Sequence, residues 1–188
     1  MPTDLKIAVI IASSRPQRVG PTVAQWFMDH TTSRTDATYD LIDLADQNLP
    51  NLDEGTPAAA QDYTQEHTKA WSATIAAYDG YVFVTPEYNR GMPGQLKNAL
   101  DFLYVEWNDK AAGLVCYGSS GGLRAAEALK QVLSELQIAT VRAQVSVSIF
   151  DDMEDFSTMT PRPFQDGNIE TMLDQLERWA GAFKPLRA

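Results

Sequence analysis

The stretch DGYVFVTPEYNRGMPGQLKNALDFLY, residues 79–104, contains the pattern that decides the fold. Its apolar run YVFV is short and built of aromatic and branched residues, which is typical of a strand buried on both faces of a parallel sheet. Pro86 restrains Thr85 to extended geometry, so the strand ends in a turn. The segment GQLKNALDFLY then has leucines at helical spacing. The stretch therefore predicts a strand, a turn and a helix in succession.

The same succession of strand and helix recurs along the chain. The predicted strands are 6–12, 38–46, 79–88, 111–118 and 140–150. The predicted helices are 21–33, 58–78, 94–104, 123–138 and 168–183. Five such units predict an α/β fold in which a parallel sheet with right-handed crossovers carries helices on both faces. No linker or internal repeat divides the chain, so residues 1–188 are predicted to form a single domain.

Three loops follow predicted strands and lead into predicted helices: residues 13–20, 85–94 and 118–122. An open parallel sheet binds its ligands at the carboxyl ends of its strands, beside the point where the strand order reverses. We therefore expect the three loops to converge on one ligand site.

The first of these loops, SSRPQRVG, has the composition of a phosphate site. Serine hydroxyls, Arg15, Arg18 and the backbone N–H groups of a helix start are donors suited to a phosphate monoester. The loop lacks the Gly-x-Gly-x-x-Gly spacing of dinucleotide sites and the Gly-Lys-Ser/Thr ending of an ATPase phosphate loop. The alternative is a solvated turn with ordinary surface arginines.

The other two loops have different chemistry. In TPEYNRGMPG, Tyr88 and Asn89 are expected at the edge of the sheet, where a planar heteroaromatic ligand has room beside the backbone. Glu87 is interpreted as structural, since a lone carboxylate without a visible partner seldom acts as an acid or base. In GSSGGLR the glycines permit close approach of a flat ligand, or merely shape a turn.

Composition excludes several functional classes. The net charge is −10 and the pI is near 4.5, which argues against a nucleic acid or an anionic membrane as partner. The lone Cys116 rules out an intramolecular disulfide and is read as a small buried hydrophobe. His30 and His67 have no metal-ligand or triad pattern around them, so no metal site and no catalytic triad are expected. With no signal-peptide or transmembrane pattern, a cytoplasmic protein is expected.

Read together, IIASSRPQRVGPTVAQW, TPEYNRGMPGQLKNALDFLY and YGSSGGLRAAEALKQVL resemble the NAD(P)H-dependent FMN reductase family, which includes quinone, azo-dye and chromate reductases. The resemblance spans about residues 5–150. It implies a three-layer α-β-α flavodoxin-like fold with a five-stranded parallel sheet in the order 2-1-3-4-5. Where the family usually has Gly, this chain has Ala12.

The resemblance also implies the cofactor, FMN, and the residues that bind it. The phosphate loop would be Ser13, Arg15, Arg18, Val19 and Gly20. The turn beside the isoalloxazine would be Pro86, Glu87, Tyr88 and Asn89. The loop on the other side of the flavin would be Gly118, Ser119, Ser120, Gly121 and Gly122.

The implied reaction is ping-pong: NADPH or NADH gives a hydride to FMN N5, and a small-molecule electron acceptor then takes two electrons. A quinone, an azo compound, a flavin or a metal oxyanion all fit as acceptor. No catalytic side chain is required from the protein. The resemblance further implies a homodimer or homotetramer, with the helix around residues 96–104 near the interface.

Three alternatives remain at this point. A non-enzymatic FMN electron carrier would suit the acidic surface, although the phosphate loops of such carriers usually lack two arginines. A phospho-acceptor signalling domain would need clustered aspartates after the first and third strands, where this chain has Ala-Ser-Ser and Thr-Pro-Glu. A binding module that has lost FMN is the third, and the absorbance of the purified protein distinguishes it.

Overall fold

A parallel sheet forms the centre of the protein. The computed structural model describes residues 5–187. The sheet has the order β2-β1-β3-β4-β5, and a further strand, β6, also pairs with β4. The strands are β1 (Leu5–Ile11), β2 (Ala37–Asp43), β3 (Gly80–Pro86), β4 (Lys110–Gly118), β5 (Ile138–Thr140) and β6 (Val145–Ser148). All their pairings are parallel, so the predicted fold class and strand order are confirmed.

Helices cover both faces of the sheet because the strand side chains alternate between two apolar layers. One layer packs α1 and α5 against residues such as Val9 and Val82. The other packs α2, α3 and α4 against residues such as Ile10 and Phe83. The helices are α1 (Gly20–Thr31), α2 (Glu66–Ala76), α3 (Gly94–Asp101), α4 (Leu123–Glu135) and α5 (Phe164–Phe183). Short 3₁₀ turns span Ala58–Ala60, Val105–Trp107 and Lys184–Arg187.

The helix predicted over residues 58–78 begins later than expected. The 3₁₀ turn Ala58–Ala60 ends at Gln61, which has a left-handed backbone with φ 52°. Glu54 then accepts the backbone N–H groups of Thr64 and Gln65, both at 3.0 Å. Because a carboxylate from a preceding loop takes up these donors, regular helix starts only at Glu66. A carboxylate ten residues away leaves no periodic signal in the sequence.

The fifth predicted strand, 140–150, is broken into two pieces. Between Ala112 and Val115, β4 advances three residues, whereas the facing chain advances five, from Thr140 to Val145. The two additional residues leave the ladder as an irregular segment, which separates β5 from β6. The alternating apolar pattern is continuous through this segment and does not reveal the break.

The acidic loop 151–166 contains a small hairpin of β7 (Met153–Glu154) and β8 (Thr158–Met159). Its anchor is Asp152, which is fully buried. The carboxylate of Asp152 accepts from the Ser148 backbone, from Gln165 and from the guanidinium of Arg162. Burial raises the pKa of Asp152, but these donors outweigh burial and lower it to about 2. The loop is therefore held against the end of β6.

Lys110, the first residue of β4, is buried with 3% of its surface exposed. Its ammonium nitrogen donates to the Ile75 carbonyl at 3.1 Å and to the Tyr81 hydroxyl at 2.9 Å. Burial is the main cause that lowers the pKa of Lys110 to about 7, and the charge of Arg187 adds to it. The core therefore favours the neutral amine.

We expect this lysine to make stability pH-dependent. In the unfolded chain Lys110 has its ordinary pKa of 10.5, so between about pH 7 and 10.5 the unfolded state binds more protons than the folded state. The free-energy cost of burying Lys110 therefore falls as pH rises through this range. Urea unfolding of the wild type and of Lys110→Met across pH 6.5–9.5 measures the effect. The stability of the wild type relative to the variant should rise with pH. A constant difference would contradict the expectation, and the exposed Lys69→Met serves as control.

Candidate active site

The three predicted loops meet at the carboxyl edge of the sheet, and direct contacts join them. The backbone N–H of Ala12 donates to the Val84 carbonyl at 2.9 Å. The N–H of Glu87 donates to the carbonyl of Tyr117 at 2.9 Å. The hydroxyl of Tyr117 in turn donates to Ser13 Oγ at 3.3 Å. The ends of β1, β3 and β4 therefore form one continuous surface.

In the first loop, the two arginines have different surroundings. Arg15 is exposed, and its guanidinium donates to the neighbouring Pro16 carbonyl at 3.2 Å. Arg18 is partly buried and forms an ion pair with Asp43, the last residue of β2. The Nε atom of Arg18 is buried and has no hydrogen-bond partner. A buried donor without a partner is costly, so an anion placed here would be stabilised.

The helix that follows supplies further donors. The N-cap of α1 is Val19, which makes no side-chain hydrogen bond to the first turn. The first N–H groups of a helix and its dipole favour an anion when no side chain caps them. An unpartnered guanidinium N–H and an uncapped helix start thus lie in the same loop.

Ser13, predicted to bind the phosphate, does not lie on the surface of the loop. It is fully buried, and its hydroxyl lies between Tyr117 and Gly20. A Cβ at Gly20 would stand 2.4 Å from Ser13 Oγ and 3.0 Å from the Tyr117 hydroxyl. Gly20 is therefore needed for the close packing of these groups. In this conformation Ser13 supports the loop from the protein interior.

The turn after β3 is a tight hairpin. Tyr88 and Gly91 exchange backbone hydrogen bonds of 2.9 and 3.0 Å. The two residues between them, Asn89 and Arg90, have φ angles of 50° and 70°, as in a two-residue type I′ turn. Pro86 is buried, whereas Tyr88 and Asn89 are exposed. The turn thus presents an aromatic ring and an amide at the sheet edge, as expected from the sequence.

Glu87 points away from solvent and joins two of the loops. Its carboxylate forms an ion pair with Arg124 and accepts the Arg124 backbone N–H at 3.1 Å. Arg124 also donates to Ser120 Oγ at 3.2 Å. Burial raises the pKa of Glu87, but the hydrogen bonds and charge of Arg124 outweigh it and hold this pKa below its usual value. Glu87 is therefore a structural carboxylate that caps α4 and fixes the turn to the glycine loop.

Replacing Glu87 by Gln should loosen both loops. The carboxylate is 7% exposed but Arg124 is 38% exposed, so solvent will partly compensate the lost pair. We expect unfolding free energy to fall by about 1–3 kcal/mol. Chemical denaturation measures the change. The control is Glu127→Gln, which removes an exposed i,i+3 pair with Lys130 and should cost less than about 0.5 kcal/mol. Equal losses in the two variants would contradict a role for Glu87 in joining the loops.

The glycine loop ends in two left-handed residues. Gly121 and Gly122 have φ angles of 66° and 71°. Ser119 and Ser120 are exposed. Gly118 packs against Glu87, and a Cβ added at Gly118 would stand 3.3 Å from Glu87 Cβ. A hollow of about 270 Å³ borders this loop on the side of Arg162 and the acidic loop. The third loop thus lies between the turn that carries Glu87 and the segment anchored by Asp152.

Three residues at this edge were missed by sequence reasoning: Asp43, Tyr117 and Arg124. Asp43 had a partial signal, because it lies near the end of the predicted strand 38–46, which neighbours β1 in the predicted strand order and must end beside the first loop. Tyr117 and Arg124 had none, since hydrogen bonding across loops depends on side-chain direction.

The residues present fit the phosphate end and the ring system of FMN. The unpartnered Arg18 Nε, the exposed Arg15 and the uncapped start of α1 suit a phosphate monoester. The exposed hairpin and the glycine loop leave room for a flat ring. Among residues 5–187, no three His, Cys, Asp or Glu side chains are placed to hold a metal ion. Burial raises the pKa of the Cys116 thiol to about 12, which makes it a poor nucleophile.

Comparison with known proteins places the chain in a family. The family model described as NADPH-dependent FMN reductase matches residues 5–152. An NAD(P)H-dependent FMN reductase of Schizosaccharomyces pombe is 49% identical over 135 residues, covering 71% of this chain and 68% of that protein. A 2-hydroxy-1,4-benzoquinone reductase of a Burkholderia species is 37% identical over 112 residues, covering 58% of this chain and 55% of that protein.

A solved structure has the same fold. The NAD(P)H:(acceptor) oxidoreductase FerB of Paracoccus denitrificans superposes with a TM-score of 0.71 at 19% identity, covering 93% of this chain and 98% of that one. The sheet order, the loops at its carboxyl edge and the family match agree with one another. The chain therefore belongs to the NADPH-dependent FMN reductase family, and it is an oxidoreductase that uses FMN with NADPH or NADH.

Proposed function

We propose that this protein transfers electrons in a ping-pong reaction from NADPH or NADH, through FMN, to a small-molecule acceptor. FMN, when bound, supplies the two-electron chemistry. The chain's own residues bind and orient: Arg15 and Arg18 hold the phosphate, and the Pro86–Asn89 turn and the Gly118–Gly122 loop flank the flavin. The observation that carries the proposal is the buried, unpartnered Nε of Arg18 at the carboxyl edge of the sheet.

The hydrogen-bonding partners of the polar side chains at the site support a reaction in which the protein supplies no acid or base. Glu87 is engaged with Arg124 and stays ionised, so it has no proton to donate near neutral pH. The hydroxyl of Tyr117 donates to Ser13 Oγ inside the protein. These groups support the loops, which positions the cofactor and leaves the chemistry to it.

The proposed acceptor class is a quinone, with azo compounds, free flavin and metal oxyanions as further candidates. The exposed Tyr88 and Asn89 turn leaves the sheet edge open to a planar acceptor. A benzoquinone is therefore the first acceptor to assay, and NADPH and NADH are compared as donors.

A steady-state assay of the FMN-loaded protein tests the proposal. With a benzoquinone in excess, we expect NAD(P)H consumption of many equivalents per chain and parallel double-reciprocal plots, the signature of ping-pong turnover. Consumption of no more than one equivalent of NAD(P)H would overturn the enzymatic proposal and leave the rival, an FMN electron carrier. The net charge of −10 favours that rival, since such carriers dock on basic partners.

We also propose that the protein is a homodimer or homotetramer and that it is located in the cytoplasm. Leu96, Leu100 and Leu103, on the segment expected near the interface, are buried in the core of their own chain. Val105, just after this segment, and Leu52 are exposed at 43% and 47% and are two of the apolar residues that a partner could cover. Light scattering after gel filtration measures the assembly, and cell fractionation measures the location. Between residues 5 and 187 there is no helix with the length and apolarity to cross a membrane.

A further inference from the structure

A second cavity, of about 510 Å³, opens where β3 and β4 begin, at the edge of the sheet opposite the candidate active site. Five charged residues line it: Asp79, Glu106, Lys110, Lys184 and Arg187. None of them belongs to the loops proposed to hold FMN. The reaction proposed above makes no use of this cavity.

Lys110 has an unusual set of partners for a lysine on a cavity wall. Its nitrogen contacts one backbone carbonyl, of Ile75, and one hydroxyl, of Tyr81. Within residues 5–187, no carboxylate forms an ion pair with it. Two hydrogen bonds use both N–H groups of a neutral amine and leave its lone pair unused. The contacts of Lys110 are thus complete without the third proton that an ammonium group would carry.

The other charged groups around Lys110 are engaged elsewhere. Asp79 pairs with both Lys184 and Arg187, at 2.9 and 2.7 Å. Glu106 accepts hydrogen bonds from the hydroxyls of Tyr63 and Ser72.

The balance of these groups favours the neutral amine. Burial and the charge of Arg187 lower the pKa of Lys110 to about 7, against the opposing charges of Asp79 and Glu106. A large fraction of the Lys110 side chain is therefore unprotonated at neutral pH, which is rare for lysine.

We propose that Lys110 is a nucleophilic amine that condenses reversibly with the carbonyl group of small anionic aldehydes in this cavity. The lone pair of Nζ forms a bond to the carbonyl carbon. The carbonyl oxygen then leaves as water with the two protons of the amine, which leaves a C=N bond between ligand and lysine. Nothing is oxidised or reduced. Arg187 and Lys184, which both pair with Asp79, lie on the same wall, and the anionic group of the ligand would share them with that carboxylate.

The probe is pyridoxal 5′-phosphate, an anionic aldehyde, added to the FMN-loaded protein so that the first loop is already occupied. Cyanoborohydride traps the C=N bond, and mass spectrometry of the digest reports each lysine. At pH 7.5 we expect Lys110 to react at least about tenfold faster than Lys69, Lys97 and Lys130, which are exposed or half-exposed and paired with carboxylates. Its rate should level off above about pH 7, whereas the rates of the other lysines should keep rising.

Two comparisons sharpen the test. Lys110→Met should lose about one modified group per chain, whereas Lys69→Met should lose none of the fast phase. Pyridoxal without the phosphate should react more slowly at Lys110, and an equal rate would overturn the assignment to anionic aldehydes. Failure of Lys110 to react faster than the exposed lysines of the wild type would overturn the proposal itself. That comparison needs no variant and no turnover, so it is independent of the proposed electron transfer.

Discussion

Removal of both arginines from the first loop, in Arg15→Ala/Arg18→Ala, is expected to weaken FMN binding by roughly 100-fold to 10,000-fold. A charge-assisted hydrogen bond contributes about 1.5–3 kcal/mol, and two such contacts are lost. Arg18 should account for more of the loss than Arg15, because its Nε is buried and Arg15 is exposed. Its removal also leaves the Asp43 carboxylate without its cation and close to the phosphate.

Fluorescence titration of FMN into the apoprotein measures this effect, and thermal unfolding of the apoprotein shows whether the fold survives. Arg142→Ala is the matched control, because Arg142 is an exposed arginine between β5 and β6. Adding Asp43→Asn to Arg18→Ala should restore part of the affinity, since it removes the uncompensated carboxylate. Wild-type affinity in the double arginine variant would show that the phosphate lies elsewhere.

The second large effect is expected from Gly122→Ala at the start of α4. Gly122 has φ 71°, and a Cβ there would stand 2.6 Å from the Tyr117 backbone nitrogen and 2.7 Å from Cys116 Cβ. Backbone atoms of a central strand cannot move aside as a flexible side chain does. We therefore expect the unfolding free energy to fall by about 2–4 kcal/mol. FMN affinity should fall with it, because the glycine loop must shift.

Gly167→Ala is the matched control for that change. Gly167 lies within α5, and a Cβ there meets nothing within 4 Å. Alanine in a helix is more favourable than glycine, so this variant should gain about 0.5–1 kcal/mol. Thermal unfolding measured side by side gives the comparison. Similar melting temperatures for the two variants would contradict the constraint at Gly122.

Much of the fold was predictable because burial leaves a periodic record in the sequence. The run YVFV and the leucines after it predicted β3 and the start of α3, although α3 ends at Asp101 and not at residue 104. The strand order followed from the family resemblance. Predictions were wrong where a distant group intervened. The carboxylate of Glu54 delays the start of α2, and two additional residues beside β4 divide the fifth strand.

The candidate site, like the fold, could be predicted from the sequence only in part. The sequence by itself determined which loops carry donors, glycines and a turn, because residue type and strand position are local properties. Only the tertiary structure decided the partners: Arg18 with Asp43, Glu87 with Arg124, and Lys110 with Tyr81. These pairs lie 25 to 37 residues apart along the chain. Which side chains meet depends on the alignment of neighbouring strands and on the direction of each Cα–Cβ bond, and neither leaves a periodic mark in the sequence.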